Sequence, residues 1–403
     1  MSRVDALVLD LDTRAGLCIA RSLGGHGYRV ALAAQDGRSS GMRTRHATAR
    51  ASLPASERDF DAYAEAIVAF ASEVGADAIL TSTDMGAAAL DARREALDGV
   101  SSPALAAPGP FALASSKPQT IQLAEELGVP VPRSQLVLSA DDADGALDEV
   151  GLPAVLKPSS SWLRLGVGGE RVGPVYLESK AAAVAAVAHA TRTGQAALLQ
   201  EVAPGRRETV KLFRTDGRVV ARLAMLVERC WPPLGGSSCM RVTIAPPADV
   251  LESAELLVDA AGLDGYAEVE FRRDARGRPL LMEINPRLSQ SVEVAVRAGI
   301  DFPRMQLEWA RGGDVPHGPT YAVGGRLGWV AGDARILAAA ALGGPAPRPA
   351  LRPTIRAICS DYLFRGARID GFDIHDLRPG IAAVTFTLRS CAKWLRRVRG
   401  GAR

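Results

Sequence analysis

The sequence predicts an α/β protein, on three observations. Residues 1 to 108 repeat a strand–helix–strand rhythm of the kind that builds a parallel sheet. Tyr266 to Phe271 and Leu281 to Asn285 alternate with period 2 and are joined by the turn-like run from Arg273 to Arg278, which reads as a hairpin. Between these regions short apolar strands alternate with an alanine-rich helix at Lys180 to Arg192.

Taken in order, Ala6 to Leu9 is a strand, Ala15 to Leu23 a helix ending at Gly24-Gly25, and Tyr28 to Ala33 a second strand. The rhythm recurs with Asp59 to Val74 and Ala78 to Thr81. The first strand–helix turn, Asp10 to Gly16, lacks a Gly-x-Gly-x-x-Gly fingerprint, so no dinucleotide site is expected there. Thr81-Ser82-Thr83-Asp84 ends a strand at the edge where α/β sheets present ligands. Asp84 is read as the N-cap of a helix from Met85 to Leu97, with a substrate contact as the alternative. Leu152 to Leu156 is a strand delivering Lys157. Pro158 and three serines, Ser160 among them, then open a loop with Gly166, Gly168 and Gly169, whose N–H groups can face phosphate oxygens without hindrance from a Cβ. Leu198 to Val202 is a strand running into Pro204-Gly205. Lys211 lies on the strand Val210 to Arg214, facing phosphate or solvent. Ala221 to Arg229 continues as a strand, and Trp231 to Arg241 turns away from it.

The stretch from Leu280 to Arg287 carries the most chemistry. In a strand alternate side chains share a face, so Glu283, Asn285 and Arg287 project together. The hairpin brings Glu270 near Glu283. Glu270, Glu283 and Asn285 are hard oxygen donors suited to Mg²⁺, or Mn²⁺ in its place, which takes one or two carboxylates plus substrate phosphates. Lysine scarcity adds to this. Of 48 Lys and Arg residues only five are lysine: Lys117, Lys157, Lys180, Lys211 and Lys393. In so arginine-rich a chain a retained lysine implies a need for a compact ammonium, and phosphate binding is one such need.

These residues resemble the ATP-grasp superfamily, whose members close two lobes over Mg-ATP and activate a carboxylate as an acyl phosphate. The resemblance rests on Glu270, on Glu283-Ile284-Asn285-Pro286-Arg287, and on Val294 to Pro303. It extends to Ser116-Lys117-Pro118 with Gly128-Val129-Pro130, to Leu152 to Pro158, and to the hinge Leu199 to Gly205. Five elements in order over residues 110 to 310 make it specific. It implies a pre-ATP-grasp parallel-sheet domain over 1–108. An ATP-grasp domain of two α+β lobes over 109–312 follows, with its lid lobe at about 120–198, and then a C-terminal extension over 313–403. It implies ATP contacts at Lys117, Lys157, Ser160, Gly166, Gly168 and Gly169, at the hinge residues Gln200, Glu201, Val202 and Ala203, and at Glu208 for the ribose. The pairing of Glu208 with Arg206 or Arg207 is the competing reading.

Trp231 to Arg241 resembles a branch described as carboxylate-amine ligases. Arg229, Ser237, Ser238, Arg241 and Arg287 are expected to meet the substrates, with Arg241, Arg287 and Lys157 serving catalysis, because a guanidinium holds carboxylate or phosphate through paired hydrogen bonds. Glu293 is read instead as an ion pair with Arg297 one helical turn on. The function implied is an ATP-dependent carboxylate–amine ligase acting on small molecules. The alternatives are a nucleotide-binding regulator without turnover, and an ATP-grasp reaction on bicarbonate or without an amine. The resemblance leaves the oligomeric state open, dimers being common in similar enzymes.

Composition narrows the classes further. An apolar share of 47% with 23% charged residues is ordinary for a soluble globular chain, and no run of about 18 apolar residues suggests a membrane span. The first residues lack a signal peptide's apolar core, so the cytoplasm is the expected location. Five scattered cysteines and five histidines give neither a disulfide framework nor zinc-ligand spacing. A net charge of +3 does not argue for nucleic acid. Gly312-Gly313 and Pro316 to Pro319 read as a linker, followed by a helix from Asp333 to Leu342. The basic segment Cys391 to Arg399 is read as a frayed terminus in preference to a membrane-surface segment.

Overall fold

The computed structural model describes residues 3–192, 194–233, 235–318, 320–343 and 348–383; the basic segment at 391–399 lies outside them. The first domain is a five-stranded sheet with the spatial order Ala49–Ser52, Val30–Ala34, Val4–Val8, Ala76–Leu80, Ser102–Pro103, every pair parallel. Val4–Val8 and Val30–Ala34 are almost wholly buried, as strands covered on both faces must be. The expected rhythm is present, with helices Arg14–Gly25 and Phe60–Val74. Thr13 caps the first helix by accepting a hydrogen bond from the Gly16 amide (3.0 Å). Gly16 is required by close approach, since a Cβ there would lie 2.3 Å from the Asp10 carbonyl oxygen.

Two differences at the fourth strand's end bear on the site. The helix expected from Met85 to Leu97 is two, Asp84–Ala92 and Arg94–Leu97. Its N-cap is Thr83, whose Oγ1 accepts from the Gly86 amide (3.0 Å), not Asp84. A hydroxyl one residue earlier therefore does the capping and leaves the Asp84 carboxylate free for another partner. Asp10 holds a left-handed φ of 62° at the first strand's end. Its Oδ2 accepts from the Thr81 hydroxyl (2.7 Å) and the Ser82 amide (2.8 Å), and its Oδ1 from Thr83 (3.0 Å), tying two strand ends together.

A smaller sheet has the order Val175–Leu177, Ala154–Pro158, Ala197–Glu201, Ser134–Val137, all antiparallel. The larger sheet has seven strands, Pro279–Asn285, Gly265–Arg273, Arg207–Thr215, Arg218–Trp231, Ser237–Ile244, Arg326–Gly328 and Arg368–Ile369. The expected hairpin is its first pair, with Glu270 directly opposite Glu283. Its last two strands come from beyond residue 313, so the C-terminal region shares a sheet with the preceding one. Among the described residues no helix is long and apolar enough to cross a membrane.

The glycine-bearing segment at 166–169 is the turn of a two-stranded ribbon, Trp162–Leu165 with Gly168–Arg171. It rests against the first domain. The Phe60 amide donates to the Val167 carbonyl (2.8 Å), Phe60 stacks on Trp162 with ring centroids 6.1 Å apart, and Arg164 pairs with Asp61. A Cβ at Gly168 would lie 2.2 Å from the Glu57 carbonyl oxygen, so glycine here permits a close approach of backbones.

Candidate active site

The hairpin end presents Glu283 and Asn285 where the opening helix of the second region, Lys117–Glu126, and the first domain's Asp84 meet. Asp84, Lys117, Ser160, Ser161, Glu283, Asn285 and Arg287 line one small cavity of about 70 Å³. Lys117 Nζ donates to Ser161 Oγ (3.2 Å) and stands 3.5 Å from Glu283 Oε2. Asn285 Nδ2 donates to Glu283 Oε1 (3.4 Å), and Arg287 Nη2 to Asn285 Oδ1 (2.9 Å). Arg287 Nε donates to Asp84 Oδ1 (2.8 Å), which ties the hairpin to the first domain.

Lys157 approaches from the smaller sheet. Its Nζ donates to Gln200 Oε1 (2.6 Å), and Gln200 Nε2 donates to Ser134 Oγ (2.9 Å). Burial lowers the Lys157 ammonium to about 8, although Glu283 pulls it upward. Burial pushes Glu270 up to about 7 against the opposing Arg207, 3.3 Å away, with Glu283 and Glu268 repelling its charge. Glu283 moves the other way. Burial favours its neutral form, but Lys117 and Lys157 outweigh that and hold its carboxyl below the usual range.

Two half-buried carboxylates and a buried amide in one corner, with the cations Lys117, Lys157, Arg207 and Arg287 around them, form a donor set that suits a divalent cation bridging to phosphates. Among the described residues no group of three His, Cys, Asp or Glu side chains converges as a metal site. The set thus has the composition Mg²⁺ takes when substrate oxygens complete its shell, and not that of a closed structural metal cage.

The sequence profile described as "ATP-grasp in the biosynthetic pathway with Ter operon" matches residues 193–331. The D-alanine–D-alanine ligase of Ectopseudomonas mendocina is 28% identical over 210 residues, which are 49% of this chain and 64% of that protein. The match thus spans less than two thirds of that relative's length. A biotin carboxylase from Campylobacter jejuni, solved as a βγ-ATP complex, superposes with a TM-score of 0.64 at 18% identity, over 80% of this chain and 74% of its own. The chain has an ATP-grasp fold. An L-amino acid ligase from Bacillus licheniformis is also similar in structure, with a TM-score of 0.57 at 16% identity over 79% of this chain and 78% of that one.

Within the ATP-grasp fold the expected residues divide into those gathered at the cluster and those elsewhere. Lys117, Lys157, Ser160, Gln200, Glu270, Glu283, Asn285 and Arg287 are together. Glu201 pairs with Arg133 (2.8 Å), and Val202 and Ala203 continue the hinge. Glu208 pairs with Arg273 (2.9 Å), neither with Arg206 nor with Arg207. Gly166, Gly168 and Gly169 belong to the ribbon described above, where close packing accounts for the glycines at 168 and 169.

Three basic residues are placed differently from expectation. Lys211 faces neither phosphate nor solvent: it is fully buried on Glu268, Ser289 (3.0 Å) and Ser291 (2.7 Å). Arg241, fully buried, pairs with Asp370 and donates to the Gln290 carbonyl (3.3 Å). Arg229 pairs with Asp333 (2.8 Å) and Asp361. Both arginines are turned to acids of the C-terminal region, so neither guanidinium is open to a substrate in this arrangement. Ser238 is buried on the same strand as Arg241, and Ser237 borders a second, larger cavity. Glu293 does pair with Arg297 (2.6 Å).

Asp84 and Arg207 are the cluster members that sequence reasoning underweighted. Arg207 lies two residues from Thr209, which stands opposite Glu270. Period-2 spacing on the neighbouring strand was the available signal, but it identifies a face only once the register is known.

Proposed function

We propose that the protein is an ATP-dependent carboxylate–amine ligase that forms an amide or peptide-like bond through an acyl phosphate, releasing ADP and phosphate. The observation carrying this reading is the pair Glu270 and Glu283 with Asn285, facing Lys117, Lys157 and Arg287 in one corner. Glu270, Glu283 and Asn285 would hold Mg²⁺, which supplies charge neutralisation and orientation of the phosphates when bound. Lys117 and Lys157 place two ammonium groups toward further phosphate oxygens, the hinge Gln200 to Ala203 lies along the adenine side, and Arg287 holds the reacting carboxylate through the Nη1 group that its bonds to Asp84 and Asn285 leave over.

The reaction balances as follows. A substrate carboxylate oxygen attacks the γ-phosphorus, the bond to the β-phosphate oxygen breaks, and ADP leaves. The amine nitrogen then attacks the acyl carbon, phosphate leaves with the C–O bond electrons, and the nitrogen loses a proton. No protein nucleophile is required. Positioning and electrostatics supply the catalysis, as is general for phosphoryl transfer. Lys157 fits this role because its depressed proton affinity reflects desolvation, and an arriving phosphate charge restores its ammonium form.

The test is release of ADP and phosphate from Mg-ATP against pooled carboxylates, each pool with and without pooled amines, with Glu283→Gln as the blank. Release that requires both pools supports the ligase. Release without any amine, or release that requires bicarbonate, overturns it.

A further inference from the structure

A second cavity, of about 1520 Å³, adjoins the cluster and shares Asp84, Ser161 and Arg287 with it. It lies between the first domain, the ribbon and the C-terminal region, and it is larger than the roughly 300–1,000 Å³ usual for small-ligand sites. Its free charge is mainly positive. Arg38 and Arg43 reach it from the connection between the second and third strands of the first domain, Arg171 from the ribbon, and Arg335 and Arg378 from beyond residue 313. All five are exposed, and none has an ion pair among the described residues. Arg335 lies over the Trp329 ring (5.4 Å), with Arg14 also against that ring (4.3 Å).

The acids on the wall offset part of this. Asp84 is paired with Arg287, and Asp10, Asp12, Asp36 and Glu57 stand on the first domain's side, fewer than the five arginines without ion pairs. Guanidinium groups contributed by separate elements suit several carboxylates spread along one molecule, since each can hold an anion through paired donors. A lone small acid bound at Arg287 would leave those arginines without partners.

We propose that this chamber receives the carboxylate substrate, and that the substrate is larger than a single amino acid and carries at least one anionic group besides the one that reacts. This rests on the ligase reading above. The reacting carboxylate sits at Arg287, and the further anions lie toward Arg38 and Arg43 or toward Arg335 and Arg378. The walls thereby assign recognition to the first domain and the C-terminal region, apart from the nucleotide cluster.

The experiment is isothermal titration of the full chain with tri-L-glutamate and with tri-L-alanine at fixed ionic strength, in wild type, in Arg38→Gln/Arg43→Gln and in Arg335→Gln. Affinity for a non-hydrolysable ATP analogue serves as the folding control. Tri-L-glutamate is expected to bind at least about tenfold more tightly than tri-L-alanine, with most of that preference lost in the double variant or in Arg335→Gln, according to the wall that holds the further anions, while the analogue binds as before. Equal affinity for the two peptides, no binding of tri-L-glutamate, or a preference that survives in both the double variant and Arg335→Gln would overturn the proposal. ADP release is read separately. Tri-L-glutamate binding that follows this pattern without ADP release against any acid and amine pool would sustain the chamber and remove the ligase reading. ADP release driven equally well by acids with a single carboxylate would keep the ligase and remove the polyanionic substrate.

Discussion

Glu270 and Glu283 stand opposite one another on neighbouring strands, both half-buried, and their proton affinities are pushed apart. A cation entering between them must displace any proton on Glu270, so Mg-ATP affinity should rise with pH up to about 7 and then level. Above about 8 the free Lys157 ammonium is lost, and affinity should fall again. Titration calorimetry across this range should show the rise flattened in Glu270→Gln and the fall removed in Lys157→Arg. A pH-independent affinity would argue that neither group meets the nucleotide. Glu283→Gln should lower ADP release on the order of 100-fold, the scale for losing one preorganised electrostatic contact, with thermal stability little changed. Residues in this hairpin were legible because the period-2 alternation and the turn at Arg273 to Arg278 are local properties of the sequence. The partner of Lys211 was not. Whether a strand residue faces site or core depends on what packs over it, and the Glu268, Ser289 and Ser291 bonds come from segments 57 to 80 residues away.

At the scale of elements, the ribbon Trp162–Leu165 and Gly168–Arg171 is docked on the first domain through a backbone hydrogen bond, an aromatic stack and a pair of approaching backbones. Gly168→Ala sets a Cβ against the Glu57 carbonyl, where only a shift of the ribbon can relieve the clash. Hydrogen exchange over residues 162–171 should accelerate in this variant while the core strands Val4–Val8 and Ala76–Leu80 remain protected. Unchanged protection of the ribbon would show that the close approach does not govern its docking. The sequence marked glycines in this segment but could not tell a phosphate-facing loop from a tight turn pressed against another domain, because both require the absence of a Cβ. The cap at Thr83 is a similar case. Thr83 and Asp84 are both competent caps, and the choice is settled by the demand of Arg287 for Asp84, a contact across 203 residues.

For the whole molecule, the C-terminal region adds two strands to the larger sheet and sends Asp370 into the interior, where it meets Arg14 of the first domain and Arg241 of the sheet. Removing its charge strands the fully buried Arg241 guanidinium and the partly buried one of Arg14. Asp370→Asn should therefore destabilise by about 3–5 kcal/mol, the scale for breaking a buried ion pair from one side, and thermal unfolding should register it as a shift of several degrees. A melting temperature equal to wild type would contradict this description of the interface. The sequence signalled Arg229 and Arg241 as important, and the structure engages both, but with acids more than 100 residues on, which no local pattern could announce. The parallel domain and the hairpin were legible because each follows from short periodicities, whereas Lys117, Lys157 and Gln200 were legible only through the family resemblance. The chamber was not, because its walls come from three separate stretches of chain. The central claim is that a substrate carboxylate attacks the γ-phosphorus. Pooled acids labelled with oxygen-18 in the carboxylate, incubated with Mg-ATP and amines, test it most directly by mass analysis of the released phosphate. Phosphate carrying one labelled oxygen is the predicted result, and unlabelled phosphate released at the same rate as ADP would contradict it.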